Sequence, residues 1–346
     1  MNLKDFLSKK GVHISFKTYV IDALSFMALG LFSSLIIGLI MKTAGGELAR
    51  IDWLAPRVGW LMEAGDLAMS LMGPAIGVAI AFGLKAPRLV LFSSVITGAA
   101  GAALGGPAGA FICALISTEV GKLVSQETKV DIIVTPLVTI IAGFIPAMFI
   151  GPTIANALVQ FGSFIEWSTE LQPFLMGILI AVFMGLALTA PISSAAIAVM
   201  LDLHGIAAGA AAVGCAAQMV GFAVASYREN KWAGLISLGI GTSMLQIGNI
   251  VKNPLILIPP TVTAAILGPF ATVLFQLENN AAGAGMGTSG LVGPIMTMNV
   301  MGSSSYVLMS ILVLYFLAPA IISLICSEVL RKTGMIKFGD MKINQS

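Results

Sequence analysis

The sequence predicts an all-α polytopic membrane protein of about ten transmembrane helices with one or two re-entrant hairpins. Three observations predict it. Of 346 residues, 58% are hydrophobic and 10% charged, where a water-soluble domain carries about 25% charged residues. Mean hydropathy is +0.99. The apolar residues fall into blocks close to the roughly 20 residues that a helix needs to cross a hydrocarbon core. A net charge of +2 gives no footing for a nucleic-acid partner, because Lys and Arg sit at the ends of apolar blocks rather than along one stripe.

Taken in order, Lys4, Lys9, Lys10 and Lys17 make residues 1–19 a cytoplasmic segment. The block that follows, 20–41, exceeds the roughly 7–15 apolar residues of a secretory signal, so no cleavage is expected. Further spans are expected near 67–84, 88–104, 106–124, 132–150, 173–189, 205–226, 232–250, 254–277 and 305–327, each bounded by charge, Gly or Pro. Residues 47–66 mix Arg50, Asp52, Arg57, Glu63 and Asp66 with Trp53 and Trp60, which suits a segment at the headgroups. Residues 153–171, with Glu166, Trp167 and Glu170, read the same way. A single membrane domain, 20–330, thus has halves of about 20–150 and 173–330, and 331–346 forms a cytoplasmic tail.

Basic residues set the orientation. Lys85 with Arg88, Lys122 with Lys129, Arg228 with Lys231, and Arg331 with Lys332, Lys337 and Lys342 prefer the cytoplasm, whereas 151–172 has no basic residue. Both termini are then cytoplasmic. Simple alternation puts Arg228 and Lys231 on the wrong side, and one non-crossing element repairs it, with 190–204 as the candidate. A faint two-fold internal repeat accompanies this. A shift of 117 residues lays Gly73-Pro74 on Ala190-Pro191 and Gly151-Pro152 on Gly268-Pro269, and transporters built from two halves carry discontinuous helices in matching positions.

The run from Glu278 to Gly290 (ENNAAGAGMGTSG) carries four glycines, and a fifth, Gly293, follows directly before Pro294. No stable lipid-facing helix forms from it, because lipid satisfies no free backbone groups. A re-entrant hairpin lining a site is the reading adopted, with Asn279, Asn280, Thr288 and Ser289 as donors and acceptors for a small polar solute. In Thr189-Ala190-Pro191-Ile192-Ser193-Ser194 the proline breaks a helix, and Ser193 or Ser194 caps a new one whose N-terminus attracts anions. Glu278 and the Asp202–His204 pair are candidate proton or coupling groups. Asp22, Gln218, Gln246, Asn249, Lys252 and Asn253 are further polar residues inside or at the ends of spans, with Gln218 and Asn249 read as links between helices.

Cys113, Cys215 and Cys326 are solitary, without CxxC or a nearby His, so neither a metal nor another cofactor is expected. There is no nucleotide-binding P-loop, HExxH or GxSxG, which excludes an ATP-driven pump on this chain alone and gives no catalytic residue.

The segment Ala190 to Ala198 (APISSAAIA), the Asn279–Pro294 run and Gly101–Phe111 (GAALGGPAGAF), in a chain of about ten spans, resemble the stand-alone EIIC-like membrane proteins of the bacterial phosphotransferase system, the group that includes toxin-gene regulators. The resemblance covers nearly the whole chain. It implies re-entrant hairpins, a homodimer, and a sugar-like solute released by an elevator-type movement in the cytoplasmic membrane. It also implies a separate EIIB-type phosphocarrier or regulatory partner. The chain departs from the family in having no appended phosphocarrier domain and no Gly-Ile-Thr-Glu sugar motif. Three functions follow as alternatives: transport of a small polar solute, a ligand sensor that keeps the fold and signals without flux, or a phosphotransferase component that acts with separate EIIA and EIIB proteins docked on the cytoplasmic face.

Overall fold

The structure, a computed structural model, describes residues 3–12 and 15–343; the side chains of residues 3, 4, 150–152, 154, 155 and 158 lie outside the description. The Lys4 and Gly151-Pro152 side chains used above, and the last three residues of the expected tail, fall in that excluded set. Internal packing divides the chain into two units, one of residues 1–42 and 51–157, the other of 43–50 and 158–346.

The first unit is built from α1 (Leu3–Lys9), α2 (Lys17–Leu48), α3 (Ala55–Ser70), α4 (Met72–Gly83), α5 (Arg88–Val124) and the start of α6 (Asp131–Thr169). Helices α3 and α4 meet at a 53° bend. Within α5, Gly105 and Gly106 leave helical geometry, and Gly106 takes φ +58°, a conformation that favours glycine. The chain reverses there. Gly101 packs on the backbone of Gly109, and the Ser117 hydroxyl donates to Thr97 Oγ1 at 2.9 Å, so arms 88–104 and 107–124 lie antiparallel, as the two separate spans predict. Gly73 and Gly77 of α4 lie against Gly98 and Ser94 of the first arm so closely that a Cβ on either would overlap backbone. Along α6, Ile132, Ile133, Leu137, Phe144, Met148 and Phe149 are exposed. A water-soluble protein leaves no such apolar face uncovered, and in a bilayer it meets lipid. Residues 153–169, expected as a separate interfacial segment, continue α6 as helix.

The second unit surrounds α9 (Gly205–Ala225), a helix of small residues that is buried nearly throughout. Ahead of it come α7 (Pro173–Thr189) and the short α8 (Ser194–Met200). After it come α10 (Tyr227–Ile236), α11 (Ile247–Lys252), α12 (Pro254–Leu274), α13 (Ala281–Ala284), α14 (Val292–Met301) and α15 (Ser305–Lys332). Neighbouring residues fix the directions. Ala181 lies beside Gly214 and Thr189 beside Gln218, so α7 runs parallel to α9. Ser323 lies beside Gly221 and Arg331 donates to the Ala225 carbonyl, so α15 does too. Pro260 meets Gly221, and Thr272 donates to the Pro173 carbonyl at 2.7 Å, so α12 runs opposite to all three.

These directions leave three segments that start and finish at one end. Residues 173–204 form the first: Gln172, Pro173 and Ile206 line one cleft, so α7 descends and 190–204 returns. The second, 227–253, enters from the opposite end. Residues 278–304 form the third and share the first one's end, since the Asn279 amide donates to the Gly205 carbonyl and Glu278 lines the same cleft. Two expectations are thereby corrected. Residues 173–189, expected as a span of their own, are one leg of a hairpin, and 232–250, expected as one continuous helix, is α10, a π-turn, a break at Thr242 and α11. Charge distribution agrees with the result. Arg228, Lys231, Lys252, Arg331, Lys332, Lys337 and Lys342 flank the end that the second hairpin enters, whereas the flanks of the other end carry Glu170, Asp202 and Glu278, with Arg50 held against Asn299 at 2.8 Å.

Candidate functional site

The three hairpins converge beside Gln218 and Met219 of α9. Thr189, at the turn of the first, lies 2.8 Å from the hydroxyl of Ser243 at the tip of the second, and 3.4 Å from Gln218 Oε1. Gln218 in turn donates to Thr261 of α12 at 3.0 Å. From the third hairpin, Thr288 donates to the Gly239 carbonyl at 2.5 Å and Ser289 to the Gly241 carbonyl at 2.8 Å. Residues 237–241 form a π-turn that ends at Thr242, so these carbonyls belong to a helix losing its regular ladder and are open to side-chain donors. Thr189, Gln218, Ser243, Thr288 and Ser289 are all buried. The arrangement is a compact polar centre of hydroxyls, one carboxamide and free carbonyls, enclosed by apolar helices.

Local sequence explains the shape of the third hairpin. Gly287 takes φ +53° and lies on the backbone of Cys215 and Ala216, where any Cβ would collide. Gly290 and Leu291 are also left-handed, which turns the chain back into α14. At its mouth Asn279 is the clamp. Its Nδ2 lies 3.1 Å from each of three acceptors, the Gly293 carbonyl, Thr297 Oγ1 and the Tyr315 hydroxyl, and its Oδ1 accepts from the Asn280 amide. Asn280 caps α13 by accepting from the Gly283 amide at 3.1 Å.

Of the residues expected to bind solute, Thr288 and Ser289 lie at the convergence. Asn279 and Asn280 hold the hairpin that carries them. Ser194 is buried and donates to the Gly285 carbonyl at 2.7 Å, tying the first hairpin to the third. Ser193 caps α8 by accepting from the Ala196 amide, the helix start that Pro191 was expected to create. The candidate coupling groups lie elsewhere. His204 Nδ1 contacts the backbone carbonyl of Asp202 at 2.6 Å, and Asp202 is itself left-handed at φ +46°. Glu278 is exposed on a cleft of about 410 Å³ with Gln172, Phe174, Thr272 and Gln276. Leu277 packs at Gly209 and Thr288 at Met219, ten residues apart on α9, so Glu278 stands roughly 15 Å along the helix from the tips.

Sequence reasoning passed over Ser243 and Thr261, and it placed Thr189 and Gln218 without the partners that give them meaning. One signal existed. Gly239-Ile240-Gly241-Thr242-Ser243 repeats in miniature the glycine-plus-hydroxyl pattern of Gly285-Met286-Gly287-Thr288-Ser289, and both pentapeptides form hairpin tips.

Two comparisons bear on identity. The family model described as "Phosphotransferase system, EIIC" matches residues 21–343. A search of the curated proteins found no match.

Proposed function

This chain belongs to the phosphotransferase system EIIC family, and on that premise we propose that the centre where its three hairpins meet binds a small polyhydroxylated solute. The protein is a multi-pass membrane component of sugar transport by that system. The finer reading is that a sugar or related metabolite passes by alternating access, in an elevator-type movement.

The observation that carries this reading is the pair of bonds from Thr288 and Ser289 to Gly239 and Gly241. A hydroxyl donating to a carbonyl is a contact that a solute hydroxyl replaces on both sides, donating to the carbonyl while accepting from the side chain. A solute with several hydroxyls therefore inserts between the tips without leaving a buried group unpaired, which an apolar solute does not do. Broken helices that meet near the middle of a membrane domain are where transporters bind. Separate EIIB-type partners approach the basic end in this reading, and the protein works as a homodimer.

Uptake of labelled sugars into proteoliposomes tests it, with a Thr288→Ala/Ser289→Ala variant alongside. Two hydrogen bonds of about 1 kcal/mol each predict uptake lowered roughly tenfold to a hundredfold. Saturable uptake that the variant leaves intact moves the site away from the tips. Thermal stabilisation by one sugar without any flux favours the sensor.

A further inference from the structure

Residues 335–343, which follow α15, do not hang free. Ile336, Met341 and Ile343 are buried in one cluster with Phe222, Ala223, Leu238 and Ile256. The polar side chains of the second hairpin are spent on the backbone of this segment. Asn230 Nδ2 donates to the Met341 carbonyl at 2.8 Å while its Oδ1 accepts from the Ile343 amide at 3.0 Å. Gln246 donates to the same Met341 carbonyl at 2.8 Å, Asn249 to the Lys342 carbonyl at 2.9 Å, and Asn253 to the Met335 carbonyl at 3.0 Å. Glu229, which is fully buried, pairs with Arg331 at 2.8 Å and accepts from the Gly339 amide at 3.3 Å.

Four carboxamides on one hairpin each bond the backbone of the segment, with Asn249 also donating to Gln246 and Asn253 to Asp340, and together they make a groove that grips an extended peptide, much as a strand is gripped by its neighbour. A buried carboxamide is costly unless paired. If hairpin movement pulls these residues from the segment, they need either water or a replacement, so the hairpin and the segment move together or part only when the groove floods.

We infer that residues 335–343 are a latch at the basic end, a peptide bound in cis that seals the second hairpin and must be released before the hairpin tips open to that side. The consequence for transport rests on the function proposed above; the latch itself rests on the bonds just described. The inference identifies Asn230, Gln246, Asn249 and Asn253 as gating residues rather than as solute ligands.

A labelling experiment separates the two. In a Cys326→Ala background, Leu238→Cys places a thiol under the segment, beside the Gly239 carbonyl of the tip, and a membrane-impermeant maleimide is added to vesicles from the basic side. Two full-length variants release the latch from opposite partners: Asn230→Ala/Asn249→Ala in the hairpin, and Ile343→Asp in the segment. Each is expected to speed labelling about tenfold or more, one decade per 1.4 kcal/mol of lost docking. Slow labelling equal to the parent in both, with the variants monodisperse and folded, overturns the latch. Because labelling needs no flux, this result stands whether or not sugar uptake is observed.

Discussion

The two units use nearly the same residues to opposite ends. In the first, Gly73, Gly77, Gly98, Gly101 and Gly109 bring helix backbones into direct contact. In the second, glycines also pack helix backbones, Gly177 on Gly268 and Gly214 on Ala181, but others lie at breaks, where hydroxyls of one segment satisfy the freed carbonyls of another. Small residues therefore do not by themselves distinguish a packed helix from a broken one. What distinguishes them is the polar side chain a few residues away: Thr288 and Ser289 after Gly287, and Thr242 and Ser243 after Gly241. Free backbone inside a membrane must find partners within the protein, so breaks occur where partners are carried along.

Substitutions sharpen that contrast, beginning with volume. Gly77→Val in the first unit forces two valine methyls and a Cβ onto the Ser94 carbonyl. It is expected to cost about 3 kcal/mol or to prevent folding, read as loss of monodisperse protein in detergent. Survival of that variant with unchanged stability breaks the claim that backbone contact holds the unit. Next comes the polar clamp of the second unit. Asn279→Ala removes a donor shared by Gly293, Thr297 and Tyr315, leaving the Thr297–Tyr315 hydroxyl pair to itself, and is expected to cost about 2 kcal/mol in denaturant unfolding. Thr97→Val, which removes the Ser117 bond between the arms of α5, is expected to cost only about 0.5 kcal/mol, because a single hydrogen bond between helices is worth little in a bilayer. A Thr97→Val cost equal to that of Asn279→Ala erases the contrast.

The smallest effect concerns the N-terminal segment. Lys10 hydrogen-bonds and pairs with Glu127, holding that carboxyl below its ordinary value of 4.5. A depressed carboxyl contributes docking that is complete above the ordinary value and lost as pH falls through the lower folded one. Hydrogen exchange of residues 5–12 is therefore expected to be unchanged between neutral pH and pH 5 after correction for the intrinsic rate, and to accelerate slightly at about pH 3. Glu127→Gln abolishes that difference.

Much of this architecture was legible in the sequence because it depends on local chemistry. The break between 104 and 106, the cap at Ser193 and the hairpin in Glu278–Gly290 each follow from residues within a few positions of the event. The second hairpin was not legible. Residues 232–250 are apolar enough for a span, and what breaks them is support from residues far away in sequence: Thr288 and Ser289 some 48 positions on, and the segment around Met341 some 95 positions on. Gln246, Asn249 and Asn253 stood out as polar residues within or beside a span, but only the folded chain shows that they face a peptide. The site was visible in the same partial way, with Thr288 and Ser289 named and their partners on the second hairpin unseen.

The central claim is that hairpins enter the second unit from opposite ends and meet at their tips, and sidedness tests it most directly. Single cysteines at Arg228, Lys252 and Ser303, all exposed, are labelled with an impermeant maleimide in right-side-out and inside-out vesicles. The account predicts that Arg228→Cys and Lys252→Cys react from the same face and Ser303→Cys from the other. Reaction of Arg228→Cys and Lys252→Cys from opposite faces makes 232–250 a true crossing and contradicts it.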